Sequence, residues 1–198
     1  MIGILMKDII LTDCDGVLLD WNHAFNTWCS ERGYVMVRSD VYDMHLCYDI
    51  SKREARDIIK QFNESAVMCQ LPTFRDSKFW VRRIHEEFGY RFRVITSMST
   101  CPYAINARVI NLRSHFGEAI EKVISLDTGA DKYDALTPYA GSNLFWIEDK
   151  LSNAITGKSL GLRSVLIEHD HNLDGIDTDI PRVKDWKSIY RMLKKETR

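Results

Sequence analysis

The chain has 198 residues, 27 basic and 28 acidic side chains, and a formal net charge of −1. That length suits one domain, or one domain with an inserted module, and is enough to bury a sizeable core. The near-neutral balance argues against broad binding of nucleic acid or membrane surfaces through charge alone, and no apolar run approaches the ~20 residues that span a bilayer. The first 13 residues, MIGILMKDIILTD, hold no basic leader followed by a cleavable apolar stretch, so no signal peptide is expected. Met6 reads as an alternative start, which makes residues 1–5 an optional tail. Cys14, Cys29, Cys47, Cys69 and Cys101 are odd in number and form no C-x-x-C pair, which points to free thiols in a reducing cytoplasm.

In chain order, the first apolar run is DIILTD (8–13), a strand. A helical block follows between residues 19 and 90, with no convincing strand. Its helices are WNHAFNTWCSER, stopping at Gly33, a second from the capping-box pattern Ser51–Glu54 to about Ser65, and SKFWVRRIHEEF, ending at Gly89. LPTFRDS (71–77) reads as the return linker. Strands are then expected at 92–97, 122–127, 144–149 and 163–168, with a weaker one at 180–183. Several are near-continuous apolar runs, the mark of strands covered on both faces. Between the first two of these, Ala104, Ile105, Val109, Leu112 and Phe116 fall at helical spacing after Pro102. A last helix presents Trp186, Ile189, Tyr190 and Leu193 on one face. Strand–helix alternation implies an α/β fold, a Rossmann-like parallel sheet flanked by helices. The expected domains are a core of 1–18 and 91–198 and a small helical cap, 19–90, inserted after the first strand.

Ligands bind beyond the carboxyl ends of strands in such sheets. Asp13 and Asp15 stand there, and strand alternation sends both to one side with Cys14 pointing away. Two close carboxylates repel unless a cation relieves them or they divide acid, base and nucleophile work between them. Taken alone, the pair reads equally as a turn or helix cap. The later strands end in Thr96 and Ser97, then reach Lys132, then end in Glu148 and Asp149. Singly, each has an ordinary reading as a cap or a solvated side chain. Together, four neighbouring strand ends supply an acid pair, hydroxyls, an ammonium and a second acid pair.

ILTDCDGVL, VITS, Lys132 and FWIED resemble, in order, the four motifs of the haloacid dehalogenase superfamily of phosphotransferases, over roughly 7–18 and 91–168. The resemblance implies that Asp13 attacks phosphorus to form an aspartyl-phosphate, and that Asp15 protonates the leaving oxygen and then activates water. It implies Mg²⁺ held by Asp13, the Asp15 carbonyl and an acid of the fourth motif, Glu148 or Asp149, with Thr96, Ser97 and Lys132 on the phosphoryl group. An acid two residues after the nucleophile marks phosphatases and phosphomutases within the superfamily. Asn153 departs from the pattern, because many members carry a further Asp there. TGKS (156–159) resembles the end of a P-loop, but no strand leads into a glycine loop before it.

The cap should choose the substrate. Its aromatic residues, with Phe25, Trp28 and Trp80 the candidate stacking groups, suit a nucleobase or simply form a small cap core. The resemblance extends to the 5′(3′)-deoxyribonucleotidase branch, so the expected partner is a small phosphorylated metabolite, first a nucleoside monophosphate. A sugar phosphate, or a mutase reaction, comes next. A polynucleotide 3′-phosphatase using Arg75, Lys78, Arg82, Arg83, Arg91 and Arg93 is a further reading, as is a catalytically silent module that binds phosphorylated ligands. His169-Asp170-His171 reads as a solvated loop rather than a metal site.

Overall fold

The computed structural model describes residues 8–173 and 179–196; Met6 and the optional tail 1–5 lie outside them. Six parallel strands form one sheet: β1 (Ile9–Thr12), β2 (Arg91–Ser97), β3 (Ile120–Leu126), β4 (Phe145–Glu148), β5 (Arg163–Ile167) and β6 (Arg182–Val183), in the order β3-β2-β1-β4-β5-β6. The order reverses at β1, which pairs with β2 through Ile10↔Phe92 and with β4 through Ile10↔Phe145. A doubly wound sheet opens a crevice at such a reversal, beyond the strand carboxyl ends.

Successive strand residues enter opposite layers, as the period of two requires. Ile10, Val94, Ile147 and Val165 join one cluster, which α4 (Ser77–Phe88), α5 (Pro102–Phe116) and α8 (Trp186–Glu196) cover. Ile9, Leu11, Ile95 and Trp146 join the other, with Leu136 from the short helix α6 (Tyr133–Leu136). On the edge side, α7 (Leu151–Ser159) packs on β4 and β5. Gly157 lies so close to Trp146 that a Cβ there would strike the indole, so the TGKS stretch is a helix end shaped by packing.

The block after β1 contains α1 (Trp21–Ser30), α2 (Met44–Cys47), α3 (Lys52–Asn63) and a 3₁₀ turn at Ala66–Cys69. The Ser51 hydroxyl accepts from the Glu54 amide at 3.1 Å, as the capping pattern requires. The Glu54 carboxylate instead accepts from the Tyr34 hydroxyl at 3.2 Å. By contrast α4, placed in the cap by sequence, packs against α5 and α8. Asp76 at its start accepts from the Trp186 amide at 3.0 Å, so this helix lies with the sheet layer.

Three residues anticipated as substrate contacts are packing residues. Phe25 is fully buried, stacked on Trp21 at 4.4 Å and edge-on to Phe62 at 5.3 Å. Trp28 is buried against Phe25 and Phe62, and the Arg32 guanidinium covers its ring at 3.8 Å. Trp80 lies on α4 against Tyr190, with ring centroids 4.7 Å apart. A small helical unit has little else to bury, so the Phe25 and Trp28 rings go to the cap's interior, whereas Trp80 belongs to the α4–α8 layer. The basic cluster is also largely engaged. Arg75 donates to the Lys184 and Glu168 carbonyls, Arg83 pairs with Glu87 at 2.6 Å, and Arg93 pairs with Glu121 at 2.9 Å. Phe25→Ala is therefore expected to lower stability by about 3–5 kcal/mol; a urea denaturation midpoint near that of the unaltered protein would show that the ring is not core.

Candidate active site

β1 ends at Thr12, and Asp13 is held in place by its amide, which donates to the Ile147 carbonyl at 2.8 Å. The chain then turns sharply. The Leu18 and Leu19 amides both return to the Cys14 carbonyl, and Gly16 sits at φ 73°. A Cβ on Gly16 would stand 2.5 Å from Asp149 Oδ2, so both the backbone angle and the space require glycine.

The turn ends the strand alternation, so Asp13 and Asp15 do not act as one pair. Asp13 Oδ1 accepts from Lys132 Nζ at 2.7 Å and from the Cys14 amide at 2.7 Å. Asp15 swings to the other helical layer. There Arg108 of α5 grips both its oxygens, Nη2 donating to Oδ2 at 3.1 Å and Nη1 to Oδ1, while Nη1 also reaches Cys14 Sγ at 3.0 Å. Both acids still line a single cavity of about 510 Å³ between the sheet and the cap.

Glu148 and Asp149 end β4 with different tasks. Glu148 Oε1 accepts from Lys132 Nζ at 2.9 Å and from the Asn153 amide group at 2.6 Å. Its Oε2 accepts from the Asp149 and Lys150 amides at 2.7 and 3.0 Å. Glu148 is thus saturated with donors and serves to hold Lys132. Asp149 is buried beside the Glu148 carboxylate, and the basic partner nearest it is His171 Nε2, at 3.8 Å.

The electrostatics follow. Burial pushes the Asp13 carboxyl up to about 7, against the pull of Lys132. Burial, with the Glu148 and Asp13 carboxylates, pushes Asp149 well above the carboxylate range. Burial also works on Glu148, but the Lys132 ammonium and the Lys150 amide outweigh it and hold Glu148 below its ordinary value. Lys132 is itself desolvated, yet Asp13 and Glu148 keep its ammonium charged. Four carboxylates, Asp13, Asp15, Glu148 and Asp149, thus face two cations, Lys132 and Arg108.

Oxygen atoms of Asp13, Glu148 and Asp149 lie within 4.8 Å of one another. An all-oxygen set with uncompensated negative charge suits a hard divalent ion. The atoms left for it are Asp13 Oδ2, which takes no hydrogen-bond partner among the described residues, and the Asp149 carboxylate. Within the acid pair, Glu148 is engaged with Lys132 and Asn153, and Asp149 is the acid left without a cation at hydrogen-bond distance among the described residues.

Thr96 and Ser97 line the same cavity. The Ser97 hydroxyl donates to the Ala130 carbonyl at 2.8 Å, whereas that of Thr96 takes no hydrogen-bond partner among the described residues. Phe25, Trp28 and Trp80 lie outside the cavity wall. His169 and His171, expected in a solvated loop, line it instead. His169 Nε2 donates to the Gly16 carbonyl at 2.7 Å, and burial holds its imidazole down to about 4, so it is neutral. Sequence reasoning also passed over Arg38, Tyr42, Asn22 and Asn26 on the cap side. It passed over Arg108, although a charged residue four positions from both Ala104 and Leu112 was a readable signal of a buried partner.

No protein-family model matches the chain, and no curated protein sequence matches it. Solved structures do. CbbY from Rhodobacter sphaeroides in complex with phosphate is 17% identical, with a TM-score of 0.60 over 93% of this chain and 96% of that one. The L-2-haloacid dehalogenase of Xanthobacter autotrophicus is 10% identical, with a TM-score of 0.61 over 96% and 99%. A haloacid dehalogenase family hydrolase of Deinococcus radiodurans with bound phosphate and sodium is 16% identical, with a TM-score of 0.57 over 96% of each chain. A variant of the same CbbY has been crystallised with xylulose 1,5-bisphosphate. At these identities the likeness establishes the haloacid dehalogenase fold. Among the described residues, no helix is long and apolar enough to cross a membrane.

The raised Asp13 value fixes the sign of a pH effect. The metal-free folded state holds this proton more tightly than the unfolded chain, whose value is near 3.8, so its stabilising contribution is present below about 4 and is lost as pH rises through about 7. A divalent ion competes with that proton, so the Mg²⁺-induced rise in melting temperature is expected to be larger at about pH 8 than at about pH 5. Asp149→Asn is expected to remove the rise; an equal rise in both proteins would displace Asp149 from the ion.

Proposed function

We propose that the protein is a magnesium-dependent phosphomonoester hydrolase working through an aspartyl-phosphate on Asp13. The observation that carries this is the Asp13–Lys132–Glu148 array at the point where the sheet order reverses, facing a cavity that also holds Thr96 and Asp149. Phosphoryl transfer asks for positioning and charge neutralisation above all. Lys132 and the Thr96 hydroxyl bind the phosphoryl oxygens, with Ser97 shaping the loop beside them. Asp13 attacks phosphorus in line with the departing oxygen. Asp15 gives that oxygen its proton, then takes one from the water that cleaves the acyl phosphate. Asp13, Asp149 and the Asp15 carbonyl would hold a divalent ion, which would supply the positive charge that lets an anionic nucleophile approach an anionic ester.

The cap is the segment from Asp20 to Leu71, and its cavity wall is mixed: Asn22, Asn26, Arg38, Ser39 and Asn63, which can bind hydroxyl groups, stand among Trp21, Met36, Val41, Met44 and Ile59. With Phe25, Trp28 and Trp80 outside it, the leaving group supported best is a small polyhydroxylated alcohol, that is, a sugar phosphate. The sugar bisphosphate bound by CbbY agrees in kind. A nucleoside monophosphate is the second reading, favoured by the Tyr42 ring, which lines the cavity and is 46% exposed. The five free thiols fit a cytoplasmic setting.

A panel of sugar phosphates, nucleoside monophosphates and an aryl phosphate, assayed with Mg²⁺, tests this reading. Phosphate release is expected with Mg²⁺ and not with chelator, and Asp13→Asn is expected to lower it by about 10³-fold or more. Equal background from both proteins would leave a module that only binds phosphorylated ligands. Preference for mononucleotides over every sugar phosphate would reverse the order of the two substrate readings.

A further inference from the structure

The array described so far leaves one buried charge without a task. Arg108 has no solvent exposure, and it comes from the helical layer opposite the one that supplies Lys132. A desolvated guanidinium is strongly unfavourable unless paired and hydrogen-bonded. Burial works to lower its value, but Asp15 and Cys14 more than reverse this, so it stays charged. Its two terminal nitrogens are spent on Asp15 and Cys14, while Nε has no partner among the described residues. A residue placed only to fasten α5 would not need a fork aimed at one carboxylate. Neighbouring Asn111 does fasten the helix, donating to the Cys69 and Leu71 carbonyls at 3.1 Å each.

We propose that Arg108 is a positioning residue for Asp15, its fork fixing the plane of that carboxylate so that it faces the cavity. This rests on the reading of Asp15 as the proton carrier. A planar two-point grip sets orientation as well as place, which a lysine ammonium cannot do. Asp15 needs such a brace because it stands in a turn past the end of β1, not in the sheet ladder. Its side chain is 25% exposed and lines the cavity, so the carboxylate is gripped at both oxygens and still accessible from the site. The grip spares Asp13, whose partners are Lys132 and the Cys14 amide. Phosphate binding and metal binding should therefore survive its loss, whereas proton delivery should not.

The test compares the unaltered protein with Arg108→Met, Arg108→Lys, Arg108→Ala, Asp15→Asn and the double variant Arg108→Met/Asp15→Asn. Steady-state hydrolysis of an alkyl phosphate is measured with Mg²⁺, and the Mg²⁺-induced melting shift serves as the check on folding. Arg108→Met is expected to lower kcat by about 10²-fold, with KM and the melting shift little changed. The double variant is expected to be no slower than Asp15→Asn, because the two residues act as a unit. Arg108→Lys, which keeps charge without the fork, should recover little of the loss, whereas guanidinium added to Arg108→Ala should recover more. If Arg108→Met does not fold, the lysine variant and the guanidinium rescue decide. Unchanged kcat in a folded Arg108 variant, or a loss that multiplies with that of Asp15→Asn, would overturn the positioning role alone. No turnover by the unaltered protein would overturn the functional reading and this role with it.

Discussion

An excess of buried negative charge organises the molecule. Two adjoining central strands, β1 and β4, direct four carboxylates beyond the carboxyl end of the sheet, and protein interiors do not tolerate such a cluster uncompensated. Two cations meet it from the chain itself. Lys132 lies between Asp13 and Glu148, and Arg108 clasps Asp15. What remains falls on Asp149 and on the oxygen of Asp13 that Lys132 does not take, within a cluster of carboxyl oxygens that could hold a metal ion. Charge bookkeeping thus separates residues that the chain writes as pairs. Asp13 and Asp15 have different cations, and Glu148 serves Lys132 while Asp149 is left for a ligand.

The doubly wound sheet makes this division possible. Lys132 precedes α6 on one face, and Arg108 belongs to α5 on the other. A carboxylate on the turn after β1 can reach either layer, and Gly16, at φ 73°, lets the chain complete that turn directly after Asp15. The same glycine leaves room for Asp149, so one position without a side chain serves both the turn and the approach of β4's acid.

The cap follows a different economy. Its short helices can bury only one small cluster, and Trp21, Phe25, Trp28, Tyr48 and Phe62 fill it with interlocking rings. The wall turned toward the site mixes the amides of Asn22, Asn26 and Asn63, the Arg38 guanidinium and the Ser39 hydroxyl with Trp21, Met36, Val41, Met44 and Ile59. Two further rings close the rim where cap and core meet, Tyr42 edge-on to His171 at 5.2 Å, beside the Lys150 ammonium at 4.7 Å from Tyr42.

The strands and the main helices were readable because burial on two faces imposes uninterrupted apolar runs and because amphipathic helices carry their period openly. Ser51, Gly89 and Pro102 marked helix limits through backbone chemistry local to each. The buried face of α5 was not read correctly. Arg108 and Asn111 lie inside it, while Ile105 and Val109 are only half-buried, because the Asp15 carboxylate takes the Arg108 terminal nitrogens and distant carbonyls take the Asn111 amide nitrogen. Helix α7 buries little more than Ala154 and Gly157 and so gives almost no periodic signal. The sequence by itself determined the parallel sheet, the inserted helices and the acids, hydroxyls and lysine at the strand ends, since local propensity and strand polarity suffice for these. Only the tertiary structure decided which cation each acid meets, which rings face inward and that His169 and His171 reach the cavity. Those outcomes depend on desolvation and contact between segments as much as 150 residues apart, as for Gly16 and His169, and no local pattern encodes them.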